Sequence, residues 1–146
     1  MTKEEKILLL QDLSGRLPYK VKGLHREQVH TVTNIEPNSI NPIIKVDGYD
    51  AWFPIEMFKP YLRPMSSMTE KELNELLEFE DIDYNNNSNV VKRAMMAFSE
   101  DKRIESNSLF CIQYARSIDW LNTHHFDYRG LIEKGLALEA PEGMYN

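Results

Sequence analysis

The chain reads as α+β: a small SH3-like β-barrel preceded by an N-terminal helix and followed by a mainly helical α/β C-terminal half. Three observations predict this. A capped, apolar-periodic segment opens the chain, a stretch from Tyr19 to Arg63 is rich in β-branched residues and turn formers, and capped helical segments follow Pro64. The expected units are residues 1–65, the helix plus barrel, and residues 66–146, an acidic segment with C-terminal helices. Both fit within one compact unit, because a chain of 146 residues buries roughly 68–70% of its unfolded surface.

The first helix has its start written into the sequence. Thr2 and Glu5 form a capping box, in which the hydroxyl and the carboxylate each satisfy a backbone donor. Ile7, Leu10, Leu13 and Leu17 recur at helical spacing, and Gly15 is the expected C-cap. Strands follow at Tyr19–Gly23 and Gln28–Ile35, the latter dense in residues that suit a pleated, half-buried surface. Ile43–Val46 and Tyr49–Phe53 flank Asp47-Gly48, a strong hairpin signal because both turn positions favour positive φ. Pro54–Phe58 suits a 3-10 turn, and Tyr61–Arg63 a last short strand.

Pro64–Met68 reads as a hinge. Thr69 and Glu72 make a second capping box, opening a helix through Leu73, Leu76 and Leu77 to Phe79. Asn85–Asn89 is a loop, and Val90, Val91, Ala94, Met95 and Phe98 share a helical face capped by Asn89. Ser99–Ser108 is polar and irregular. Leu109–Tyr114 fits either a strand or an extension of the next helix, a choice that periodicity over so few residues does not make. A helix is expected at Ile118–His125, then a second from Tyr128, capped by Asp127 and closed at Gly135.

Charge narrows the function classes. Residues 1–65 carry nine Lys/Arg against eight Asp/Glu and residues 66–146 eight against fifteen, so +1 and −7 make the net −6. Lys/Arg neutralisation of phosphates supplies most non-specific nucleic-acid affinity, which disfavours the second half for that role. Its acidic run, Glu70 to Asp83, reads as a solvated helix face. No apolar run reaches the ~20 residues of a membrane span, and no secretory leader is recognised at the charged N-terminus. The single cysteine, Cys111, permits no internal disulfide and fits a reducing cytoplasm. It lies between Phe110 and Ile112, the surroundings of an inert thiol.

The densest chemistry lies in Ser117–Asn146. Trp120, His124, His125, Tyr128 and Arg129 are the candidate interaction residues, since Trp, Tyr and Arg are favoured interface anchors. Adjacent histidines diverge by about 100° on a helix, so both cannot ligate one metal. His124 with Asp127, and His25 or His30 as a third ligand, falls short of a recognisable zinc spacing. No metal, cofactor or catalytic residue is expected. Tyr49, Trp52 and Tyr61 form a secondary candidate, an aromatic groove for a Pro-rich peptide. Alternation sets Tyr49 and Phe53 on one face and Trp52 on the other. No phosphate loop, nucleophile elbow or paired-histidine zinc motif is present.

Three phrases carry a resemblance: Leu8–Leu13 with Arg16–Tyr19, Phe58–Glu70, and above all Ile118–Ala137. They resemble a family of small uncharacterised proteins of phages, prophages and mobile elements of gut bacteria. The resemblance covers about half the chain and departs from it between Glu80 and Arg116. It implies an intracellular, mobile-element-encoded protein and brings no activity with it. The expected function is therefore a non-enzymatic adaptor that binds a host or phage protein. The alternative is a weak nucleic-acid accessory factor using Lys20, Lys22, Arg26 and Lys45. No membrane partner is expected, and the oligomeric state is left open.

Overall fold

The computed structural model describes residues 1–37, 41–78 and 108–145, with side chains from Ala115 onward in the last stretch. The loop expected at Asn85–Asn89, the helix at 90–98, the irregular run 99–107 and the side chain of Cys111 lie outside the described residues.

The first helix, α1 (Lys3–Arg16), starts as the sequence requires. Thr2 Oγ1 accepts from Glu5 N at 3.2 Å while Thr2 N donates to Glu5 Oε2 at 2.7 Å. Its buried face is not the expected one. Leu9 and Leu13 point inward together with Asp12 and Arg16, whereas Ile7 is exposed and Leu10 half-buried. The helix is turned so that Arg16, paired with Asp12, reaches the Phe126 carbonyl in the interior. Gly15 does not end the helix. A Cβ there would lie 3.0 Å from the Asn122 amide nitrogen, so the glycine lets another helix approach.

A 3-10 turn at Leu17–Tyr19 then leads to a six-stranded sheet. Its strands are β1 (Lys22–His25), β2 (Gln28–Glu36), β3 (Ile43–Val46), β4 (Phe53–Pro54), β5 (Lys59–Leu62) and β6 (Leu138–Glu139), in the order β4-β3-β2-β1-β5-β6. All neighbours are antiparallel except β5 and β6. The sheet is open. Among the described residues β4 and β6 are its two edges, and no ladder closes it into the expected barrel.

Two turns differ from expectation. Tyr19 belongs to the 3-10 turn, because Pro18 fixes a helical φ just where a strand was expected. The β1–β2 hairpin turns on Arg26 and Glu27, both at positive φ (48° and 66°). That is the backbone of a two-residue primed turn, built without the usual Asn or Gly. Between β3 and β4 the Asp47-Gly48 turn is present, but Tyr49–Trp52 is loop rather than strand. Asp47 Oδ1 accepts from Thr31 N at 2.8 Å, tying the turn back to β2 and leaving a wide connection.

Gly23 on β1 is obligatory. A Cβ there would sit 2.3 Å from the Phe58 ring and 2.6 Å from Lys59 O, so only a bare backbone lets Phe58 cross the strand. Phe58 follows the expected 3-10 turn, Ile55–Met57. The second capping box also forms. Thr69 N donates to Glu72 Oε2 (2.9 Å) and Glu72 N to Thr69 Oγ1 (3.2 Å), opening α2 (Glu70–Glu78).

The run from Leu109 is helical and continuous with the segment that follows it, forming α3 (Ser108–Thr123). The helix expected at 128–135 is absent, replaced by successive turns. One buried cluster joins Leu9, Leu13, Val32, Ile44, Phe58 and Leu62 to Leu131, Leu136 and Ala137. A second holds Leu76, Trp120, Leu121, Phe126 and Tyr128. Residues from both expected halves therefore share one core. Among the described residues, no helix is long and apolar enough to cross a membrane.

Candidate functional site

The sequence-predicted residues fall into two corners of the molecule. The first is built on the end of α3. That helix closes in a Schellman arrangement: Phe126 N donates to Leu121 O (3.0 Å) and His125 N to Asn122 O (3.1 Å). His125 sits at the left-handed position with φ 58°, where glycine is the ordinary occupant. Its ring stacks on Tyr145 at 3.7 Å between centroids. Burial, then the nearby Arg16, His124 and Lys22 charges, lower the His125 pKa to about 4.

Around this cap the chain is tied to β5. Arg63 N donates to His125 O at 2.8 Å, and Asp127 N donates to Arg63 O at 2.7 Å. Arg63 reaches further, gripping both oxygens of Glu72 at 2.7 and 3.0 Å, with its guanidinium 4.2 Å from the Phe126 ring centre. This grip holds the Glu72 carboxyl down at about 2. Asp127 uses its carboxylate on Leu131 N (2.8 Å) and Ile132 N (2.9 Å). It thus caps a loop where a helix was expected, and Gly130 and Gly135, both at positive φ, divert the backbone from a helical path.

Behind the loop lies the buried pair of α1. Arg16 donates from Nε and Nη2 to the two Asp12 oxygens at 2.7 and 2.9 Å, and from Nη2 to Phe126 O at 2.8 Å. Both side chains are fully buried. Burial works against the Arg16 charge, yet Asp12 outweighs it and the pKa is raised. Arg129 adds a second guanidinium, with Nε 3.6 Å from Asp12.

The five candidate interaction residues are thus mostly interior. Trp120 is 8% exposed, and His125 and Tyr128 are also buried. Tyr128 donates to Asn122 Oδ1 at 3.0 Å. His124 is half-buried, stacked on Trp120 at 3.9 Å, with Nδ1 donating to Trp120 O at 2.8 Å. Arg129 is half-buried too. The tract's rings and charges are turned toward the fold, because the cap, the loop and the ion pair all need them there. His124 and Asp127 each have other partners, so the ligand pair considered from the sequence is not assembled.

The second corner lies at the other end of the sheet. His25, His30, Tyr49 and Phe53 gather their rings, with centroids 4.3 Å apart for His25–Phe53, 5.2 Å for His30–Tyr49 and 6.1 Å for His25–His30. His25 and His30 share a face of the β1–β2 ladder, since Gly23 faces His30 and His25 faces Gln28. Sequence reasoning grouped neither histidine with these rings. The signal was available in that diagonal register, but only with the Arg26-Glu27 turn known. Arg26 places its guanidinium 5.3 Å from the Phe53 ring.

Each of these imidazoles is oriented from the backbone. His25 Nδ1 lies 3.1 Å from Met57 O, and His30 Nδ1 lies 3.1 Å from Asp47 O. A carbonyl only accepts, so each Nδ1 carries a proton, and in the neutral imidazole Nε2 is the nitrogen with the lone pair. Both Nε2 atoms are buried and have no hydrogen-bond partner among the described residues.

Beside this corner the surface is apolar. Trp52 is 46% exposed and Met57 42%, flanking β4 at the edge of the sheet. The Lys6–Glu56 ion pair borders them. Tyr49 and Phe53 are in ring contact at 5.6 Å while Trp52 faces solvent, an arrangement set by the loop at Tyr49–Trp52 and not by the strand alternation expected there. Tyr61 does not join a groove with them. It lies on β5, which β2 and β1 separate from β3, and its carbonyl accepts from Tyr145 at 2.8 Å.

The basic residues proposed for nucleic acid are dispersed. Lys45 is paired with Asp50 at 2.6 Å, Lys22 Nζ reaches Met144 O at 3.4 Å, and Arg26 rests on Phe53. Comparison with protein-family models, curated proteins and solved structures finds no match to this chain.

Proposed function

We propose that this protein is a non-enzymatic binding module of a phage or mobile element, acting in the cytoplasm, and that it holds a partner protein at the β4 edge. The observation that carries this reading is the exposure of Trp52 and Met57 on either side of an edge strand. β4 is only Phe53–Pro54, and its proline has no N–H to offer, so the contact rests on the exposed side chains rather than on an added strand. A half-exposed Trp is the residue type that most often dominates an interface.

The strand order supports an SH3-like reading of β1–β5. Four antiparallel strands run in sequence, a 3-10 turn follows β4, and β5 returns beside β1. We read this unit as an SH3-like module with its closing ladder unformed, a fold-level analogy that by itself assigns no ligand. The interaction surface is accordingly moved from the C-terminal tract to the β4 corner. Nucleic-acid binding is the weaker reading, because two of its four basic residues already have partners in the fold.

The test is selection of peptides from a display library on the full chain, followed by mapping in ¹⁵N NMR spectra. Shifts should centre on residues 49–57, and Trp52→Ala should weaken binding at least tenfold. Shifts centred on His124–Arg129 instead would return the surface to the C-terminal tract and refute this assignment.

A further inference from the structure

We propose that His25 and His30 form a two-coordinate site for a soft monovalent d10 cation, copper(I), in the ring cluster beside β4. This does not depend on the peptide-binding reading. Metal-ligating histidines characteristically donate their second ring N–H to a carbonyl or carboxylate, which fixes the tautomer and aims the other nitrogen. Both imidazoles have that arrangement here, through Met57 O and through Asp47 O with its Oδ1 at 3.3 Å. Both Nε2 atoms are buried without a hydrogen-bond partner among the described residues, and a buried nitrogen that nothing satisfies is costly.

The ring centres lie 6.1 Å apart at an interplanar angle of 67°, a separation that leaves room for an ion bonded at about 2 Å to each Nε2. The donor set selects the ion. Zinc takes three or four protein ligands in its usual sites, and among the described residues no group of three His, Cys, Asp or Glu could hold a metal. Two neutral imidazoles suffice for copper(I), which accepts linear coordination. On the inner side the site is covered, with His25 1% exposed and packed on Phe53. The His30 side chain, 12% exposed, gives a route in. The Arg26 guanidinium on Phe53 favours a single rather than a double positive charge.

The test uses the full chain carrying Cys111→Ser, since a thiolate would itself capture copper(I). The protein is titrated anaerobically, under ascorbate, against the coloured copper(I)–bicinchoninate complex. One equivalent should be withdrawn, and His25→Gln and His30→Gln should each weaken capture at least tenfold with unchanged circular dichroism. X-ray absorption should show two nitrogen neighbours. Should His25→Gln not fold, His30→Gln at the rim decides alone. No withdrawal from the indicator, or withdrawal that His30→Gln leaves intact, overturns the site.

Discussion

The C-terminal tract and the β1–β2 corner use the same kinds of side chain in opposite ways. At the end of α3, Arg16, Asp12, Asp127, His124 and Tyr128 are engaged in bonds that hold the fold together, and the nitrogens left over, Arg16 Nη1, His125 Nδ1 and Arg129 Nε, are buried. At the β4 corner, two imidazoles keep a nitrogen each without an internal partner, and Trp52 and Met57 face solvent. The lesson concerns capacity. A segment rich in chemistry is a binding surface only where its side chains still face solvent once the backbone and the ion pairs are satisfied.

The largest effect should come from breaking the tract at its centre. Arg16→Met leaves the Asp12 carboxylate buried, with Arg129 at 3.6 Å its remaining cation among the described residues. Removing one partner of a buried pair costs about 3–5 kcal/mol. Urea denaturation should show that loss, and Asp12→Asn combined with Arg16→Met should cost less than the two changes summed.

Acid should strike the same region. The His125 pKa is about 4 in the fold, below its ordinary 6.5. Between these values the unfolded chain holds a proton that the folded one does not, so stability rises with pH across the window. Its contribution is whole above 6.5 and lost as pH falls toward 4, by about 2–3 kcal/mol. Denaturation midpoints measured from pH 7 to pH 4 should fall steeply in the wild type. The slope should flatten in His125→Phe, which keeps a ring to stack on Tyr145.

Tyr145 gives the alkaline counterpart. Burial raises its hydroxyl to about 12, against an ordinary 10, and the hydroxyl accepts from Lys22 N and donates to Tyr61 O. The fold retains a proton that the unfolded chain releases, so stability declines as pH rises from 10 to 12. The half-buried position limits the loss to about 1–2 kcal/mol. Tyr145→Phe should remove this alkaline loss while lowering stability near neutrality by about 1 kcal/mol.

The smallest effect on stability belongs to the other corner. Trp52→Ala should change unfolding free energy by less than about 0.5 kcal/mol, even as it removes the proposed peptide binding. A cost like that of a core aromatic would erase the contrast between the regions.

What the sequence disclosed follows from range. Both capping boxes were readable, because Thr2 with Glu5 and Thr69 with Glu72 act across three residues. The inward turn of α1 was not, since it answers to Phe126, 110 positions away. Neither was β6, whose two residues carry no pattern of their own. Asp127 was recognised as a cap, but the φ > 0 glycines at 130 and 135 turned its helix into a loop. The Arg26-Glu27 turn lacks the glycine signature, so the meeting of His25 and His30 was hidden with it.

The parallel pairing of β5 with β6 sets a schedule for biosynthesis. Tyr61 meets Leu138, 77 positions later (138 − 61). At 5–20 residues per second on the ribosome, the outer side of β5 waits roughly 4–15 s for its neighbour. Throughout that interval the nascent sheet offers a bare strand to chaperones and to other chains, and slowing translation there should increase misassembly.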